Sequence, residues 1–288
     1  MDTEVTSLDH DIRGLDVLEV PMSERDPLPV RLWAGAWPKF MAVGLVLAFW
    51  QLVYLSGWKD PWVLPGPGTV LSALAEEAQT ARFWEAVATT MRRGATGFAV
   101  AVATGTAIGL AVSQSGLLRR AIGSLITGLQ TMPSIVWFPL AILLFGLDES
   151  AILFVIVLGA APSIANGLIA GVDHIPPILV RAGRVLGARG LTAWRHVLLP
   201  AALPSYVAGL KQGWAFSWRS LMAGELLVII AERPSLGVSL HFARELAQAS
   251  RLMAYMIVVL VIGVIVDAVF FAGIERRIRV NRGLQTNR

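Results

Sequence analysis

The sequence has no cysteine, three lysines and four histidines in 288 residues, and only 15 % of its residues are charged. Without cysteine there is neither a disulfide nor a thiolate metal site. The lysines are Lys39, Lys59 and Lys211, and none follows a glycine. The chain therefore lacks a G-x-x-x-x-G-K-[ST] loop, in which the lysine must reach bound phosphates. His10, His174, His196 and His241 are scattered, with neither metal-ligand spacing nor a nucleophile beside them, so no catalytic residue and no metal site is predicted. The first 37 residues are acidic and proline-punctuated, and they lack the basic start and small-residue cleavage site of a signal peptide. They read as a partly disordered tail, with a short amphipathic helix near residues 29–37, ahead of an uncleaved anchor.

What is abundant is apolar sequence. The composition is 55 % hydrophobic and the mean hydropathy is +0.64, outside the range of soluble domains of this length. About 20 apolar residues cross a bilayer. Runs of that kind fall at about 40–56, 94–112, 121–147, 150–172, 204–230 and 252–273. The run 121–147 carries no charge and is long enough to cross with tilt. These runs predict an all-α integral membrane protein with six transmembrane helices over residues 38–275, followed by a basic tail, 276–288.

Lysine and arginine placement orients the spans. Segments 1–39, 114–120, 173–203 and 274–288 hold fifteen of these residues, and the opposite segments hold seven. The basic side is cytosolic, which puts both termini inside. The net charge of +4 and the pI near 9.9 follow from this topology, and nucleic acid is not an expected partner. Arg92 and Arg93 fall on the wrong side and read as part of an amphipathic helix lying at the interface.

One cytosolic segment is too regular for a plain connection. Pro176-Pro177 ends the fourth span, because proline removes a backbone donor and clashes with the preceding turn. Ile178 to Leu186 then fits a short helix with Ile178, Ala182, Val185 and Leu186 near one face and Arg181 and Arg184 near the other. Gly187 and Gly190 let the chain turn. Leu191 to Leu199 fits a second short helix, ended by Pro200.

This segment resembles the cytoplasmic loop of permease subunits of binding-protein-dependent ABC importers, whose pattern runs E-A-A, three residues, G, nine residues, I-x-L-P. Gly187, Val197, Leu199 and Pro200 match its spacing, while the E-A-A reads Arg181-Ala182-Gly183, with arginine in place of the acid. The resemblance spans residues 60–275. Leu64-Pro65-Gly66-Pro67, Met132-Pro133, Trp137-Phe138-Pro139-Leu140, Phe145-Gly146, Trp218-Arg219 with Glu225, and Leu236-Gly237 are similar, in that order, to the branch importing nitrate, aliphatic sulfonates and taurine.

The resemblance implies the type I importer permease fold, with residues 178–200 as the element that docks on the ATPase. The docking residues are Arg181, Ala182, Gly183, Arg184, Gly187, Val197, Leu199 and Pro200. It also implies the plasma membrane of a prokaryote, a second copy of the chain, two cytosolic ATPase subunits and an extracytoplasmic solute-binding protein. No cofactor belongs to this chain, because ATP and Mg would be used by the ATPase.

The charges within spans need partners. Lys211 and Asp267 fall at similar depth on spans five and six and are expected to pair. Arg219 and Glu225 are six residues apart, so they face different ways round a helix. A guanidinium suits a sulfonate or nitrate. Prolines at 133, 139 and 162 break helices where protein or a cavity can line them. Gln130, Ser134, Asn166, Arg219 and Glu225 are therefore the candidate pathway residues. Small-residue spacings Gly105-xxx-Gly109, Gly167-xxx-Gly171 and Gly209-xxx-Gly213 predict close helix packing. The expected function is the pathway-forming subunit of an ATP-driven importer for a small anionic solute. A thiamine precursor or bicarbonate stays open as substrate, and a secondary transporter or membrane scaffold as function.

Overall fold

A computed structural model describes residues 28–230 and 233–281, and the expectations for residues 1–27 and 282–288 lie outside them. Among the described residues there is no β-strand. The chain divides after Trp58 into two units. The first contains α1 (Leu28–Leu55), which runs through Pro38 without a break. The expected boundary between tail and span at residue 37 therefore falls inside a helix. Phe40, Phe49 and Leu52 are each more than 60 % exposed, an apolar surface suited to lipid.

The second unit begins with α2 (Pro67–Ala78), started by a proline at its first position. It continues through α3 (Ala81–Gln114), α4 (Gly116–Thr131), α5 (Phe138–Phe145) and α6 (Glu149–Asp173). Two short helices, α7 (Pro177–Val185) and α8 (Gly190–Ala193), precede α9 (Leu199–Leu227). The unit ends with α10 (Leu236–Glu245), α11 (Ala249–Ile265) and α12 (Ala272–Asn281).

By length and apolarity Trp37–Leu55, Ala81–Gln114, Glu149–Asp173 and Ala249–Ile278 can each cross a membrane, and α4 with the 134–145 segment can make a fifth, bent span. The 29-residue α9 is long enough as well, about 43 Å at 1.5 Å per residue. It carries Lys211, Arg219 and Glu225, and much of its surface is turned into the protein rather than toward lipid.

α6 is the central helix. It lies alongside α3 in the same direction and against α9 in the opposite one. Glycines set both distances: a Cβ on Gly105 would lie 2.6 Å from the Ala161 carbonyl oxygen, and one on Gly167 would lie 2.5 Å from Gly209 Cα. Small residues permit this approach, and between membrane helices dispersion contacts take the role that the hydrophobic effect has in water. Ala101, Ala160 and Ile164 fill the middle of the sandwich, and Phe138, Ile152, Val155, Ile156 and Leu221 fill one end.

Four expectations change. Pro162 breaks nothing, since it lies inside the continuous α6. The run 121–147 is not one straight span: α4 and the following segment meet at 102°, broken at Met132-Pro133. Proline disfavours helical backbone in the residue before it, and Met132 is extended at ψ 129°. α3 begins at Ala81, not at Gly94, so Arg92 and Arg93 lie within a 34-residue helix and form no separate interfacial element. Pro200 ends nothing: α8 passes through a π-helical turn, Trp194–Leu198, directly into α9. Pro200 has no N–H for the α ladder, and the wider turn falls immediately ahead of it.

Candidate functional site

At the α10 end of the bundle charges are buried and paired. Thr90 and Arg93 lie one turn apart on α3 and share a face. Glu225, near the end of α9, is 0 % exposed. Its Oε1 accepts from Arg93 Nη1 at 3.1 Å, and its Oε2 accepts from the Thr90 hydroxyl at 2.8 Å and from the Gly237 N–H at 3.0 Å. The same Thr90 oxygen accepts from the Leu236 N–H at 3.0 Å. A Cβ on Gly237 would collide with Glu225, so only glycine lets the backbone come this close.

Arg93, 3 % exposed, also reaches Glu149 at 3.4 Å through Nη2. Glu149 opens α6 and takes Arg233 as well, with Arg92 at 3.8 Å. The neighbouring Asp148 caps α6. The Ser150 hydroxyl donates to it at 2.6 Å, and that bond holds its carboxyl below the usual carboxylate range. A buried carboxylate is tolerable only when paired and hydrogen-bonded, and here α3 and α10 supply both to Glu225, while Glu149 of α6 shares Arg93. Glu225 is thus held as a structural ion that ties α9 to α3 and α10. Sequence reasoning missed the Arg93 contact, and the signal was the Thr90-x-x-Arg93 spacing on one helical face.

At the opposite end the arrangement is open. Pro176 precedes α7 and Pro177 begins it. α7 closes with the Ala188 N–H bonded to the Gly183 carbonyl at 2.9 Å and the Gly187 N–H bonded to that of Arg184 at 3.0 Å. These two bonds are the Schellman closure, which needs a left-handed residue at Gly187, where φ is +84°. Gly183 is buried, and a Cβ there would lie 2.8 Å from Val197 Cγ2, so α7 rests on the π-helical turn through this pair. A cavity of about 450 Å³ beneath α7 is lined in part by Gly183, Arg184, Arg189, Trp194 and Val197. Arg181, Ala182, Leu199 and Pro200 are exposed. So are Val185 at 87 %, Leu186 at 86 % and Leu191 at 84 %, an unusual display of large apolar side chains.

Residues 101–280 match the family of binding-protein-dependent transport system inner membrane components. The chain belongs to this family. The permease SsuC of Escherichia coli, named for aliphatic sulfonates transport, is 31 % identical over 83 % of this chain and 90 % of its own. The taurine transport system permease protein TauC of the same organism is 27 % identical over 78 % and 82 %. The nitrate import permease protein NrtB of Leptolyngbya laminosa is 32 % identical over 50 % and 52 %. In fold the chain is similar to the MetNI methionine ABC transporter, captured in inward-facing conformations, at 22 % identity and a TM-score of 0.53 over 68 % of this chain and 93 % of that one. The protein is therefore an ABC importer permease of the sulfonate, taurine and nitrate branch, in an all-α, multi-pass membrane fold.

Glu225 and Leu236-Gly237, two of the stretches that carry the resemblance, meet in space, since Glu225 accepts from the Gly237 N–H. The other candidates separate into groups. The Gln130 side-chain NH2 donates to Ser163 at 2.9 Å, and its carbonyl accepts from Asn166, linking α4 to α6. Ser134, on the turn after the break, lies near Gly159 and Ser220. Arg219 is on another face: exposed, its guanidinium 4.7 Å above the Phe216 ring and its Nε–H donated to the Ala215 carbonyl at 3.1 Å. Lys211 Nζ lies 3.4 Å from Asp267 and 3.8 Å from Glu275, a contact between α9 and the last helices.

Proposed function

We propose that this permease forms the translocation pathway of an ATP-driven importer for a small anion of the aliphatic sulfonate, taurine or nitrate class. Two copies would pair, a solute-binding protein would deliver substrate at the α10 end, and two separate ATPase subunits would grip residues 178–200 on the cytosolic side. The observation that carries the coupling role is the exposed apolar face of α7 and the turn after it. Its Schellman closure fixes that face, and Gly183 packed on Val197 ties it to the helix running into α9. Movement of α7 would therefore reach the membrane helices without an intervening flexible joint. Two-state motion needs a partner that contacts the two states differently, and an ATPase dimer that closes on ATP would supply that difference.

For the substrate, support comes from the sulfonate, taurine and nitrate names of the relatives and from Arg219. Arg219 is a charged residue of α9 that is exposed and has no carboxylate partner among the described residues. A planar guanidinium suits a sulfonate or nitrate oxygen pair.

The test is uptake of labelled taurine, an alkanesulfonate and nitrate into vesicles holding the permease, its ATPase and the binding protein. ATP-dependent uptake of one of these, abolished by Gly187→Trp with the permease still folded, is the expected result. Uptake that persists without the ATPase would identify a secondary transporter instead.

A further inference from the structure

From His174 to Gly224 the sequence has no aspartate or glutamate, yet it holds Arg181, Arg184, Arg189 and Arg195 around α7, and all four are exposed. The nearest preceding acid, Asp173, is already held by Arg119 at 2.6 Å. No carboxylate among the described residues pairs with the four arginines, whereas Lys211, Arg233 and Arg251 each have one. Ile178, Ala182 and Val185 follow one another along the exposed face of α7, at four- and three-residue spacing. Arg181 flanks that strip, about 60° round the helix from Ile178 and about 40° from Val185. Arg184 and Arg189 turn toward the cavity beneath α7. The surface is therefore an apolar strip flanked by cations, with no anion in its stretch of sequence.

We infer that the ATPase surface receiving α7 is an apolar cleft rimmed by carboxylates, one of them facing Arg181, so that the polarity of this contact is reversed relative to importers carrying glutamate at that position. The inference rests on the docking role proposed above and specifies its chemistry. Four unpaired guanidiniums would repel a basic rim and would find no counter-charge on a neutral one. Complementary charge across an interface sets partner choice and association rate more than total affinity. Arg181 thus acts as a discriminator: an ATPase whose cleft is built for a glutamate meets a like charge here.

The experiment is capture of the permease's own ATPase by the permease in lipid nanodiscs, read as bound fraction and association rate. Wild type should lose association rate steeply between about 0.05 and about 0.5 M salt, as steering by exposed charges does. Arg181→Glu should slow association on the order of tenfold or more and flatten the salt dependence. Selection for restored transport in that variant should yield acid-to-base changes in the ATPase. Leu186→Asp is the control for docking itself and should abolish capture.

If Leu186→Asp abolishes capture while Arg181→Glu and Arg184→Glu leave rate and salt dependence unchanged, the docking role stands and the charge assignment falls. If capture survives all three, the docking role falls too. An unchanged rate together with trypsin protection of the loop that requires anionic phospholipid in the nanodisc assigns the arginines to the membrane surface, which also overturns the proposal.

Discussion

The two ends of the bundle treat arginine in opposite ways. Arg93 at the α10 end is buried between Glu149 and Glu225, within 3.4 Å of both. Arg181, at the α7 end, is exposed and has no carboxylate beside it. The first arrangement is complete within one chain, so it can serve stability. The second lacks its counter-charge, which points to a partner. Hydropathy alone does not separate them, since each interrupts an apolar stretch by a few residues.

The comparison breaks most visibly at Arg93. Arg93→Met would leave Glu225 buried with a hydroxyl and one N–H but no cation. Removing one member of a buried pair costs about 3–5 kcal/mol. The expected result is a large fall in the unfolding midpoint in detergent, or no recoverable protein. Arg93→Met with Glu225→Met should recover much of the loss, because two apolar side chains leave no orphan charge. Arg181→Met, by contrast, should leave the midpoint unchanged and act only on ATPase capture.

Gly187→Val comes next. A β-branched residue at φ +84° costs about 1–2 kcal/mol locally, and the loop relieves it by opening the closure of α7. Global unfolding should shift little while ATP-driven transport is lost, measured side by side on one preparation. A fall in both would mean that α7 is part of the folded core, and the contrast between the two ends would weaken.

Lys211→Met tests an intermediate case. Lys211 and Asp267 are 37 % and 49 % exposed, so their pair lies between the two extremes. Partly exposed ion pairs contribute about 0–1 kcal/mol, and the expected change in unfolding midpoint is correspondingly small. A loss as large as that of Arg93→Met would place this contact with the structural net.

These contrasts also mark what the sequence could reveal. Spans at 40–56, 150–172 and 252–273 are legible because charge is concentrated around them, with Asp267 the one charged residue inside. The α7 loop is legible because Pro176-Pro177, Gly187 and the arginines are local signals. The bend at Met132-Pro133 is legible only in part: Pro133 marks a break, but apolar residues on both sides merge into one hydropathy run and a proline in a membrane helix need not break it, as Pro38 and Pro162 show. The start of α3 is hidden for the opposite reason: Arg92 and Arg93 look like an interface until Glu149 and Glu225, 56 and 132 residues away in sequence from Arg93, are brought to them. Long-range pairing of this kind leaves only a faint local trace, Thr90 and Arg93 on one helical face.

The finest version of the comparison lies in two helix ends built the same way. α10 closes as α7 does: the Gln248 N–H bonds to the Ala243 carbonyl at 2.8 Å and the Ala247 N–H to that of Arg244 at 3.1 Å. Here the left-handed position is Ala247, at φ +53°, where α7 has Gly187. Alanine in that conformation is strained by roughly 1 kcal/mol because its Cβ crowds the following carbonyl oxygen. Glycine removes the clash but gives the unfolded chain more freedom, which offsets part of the gain. Ala247→Gly should therefore raise the unfolding midpoint slightly, by the equivalent of up to about 1 kcal/mol, whereas Gly187→Ala should lower the loop's stability by a similar amount. Opposite signs at matching positions would show that both closures use the same backbone geometry. A destabilising Ala247→Gly would instead mean that the Ala247 methyl contributes packing at the α10 end that outweighs its strain.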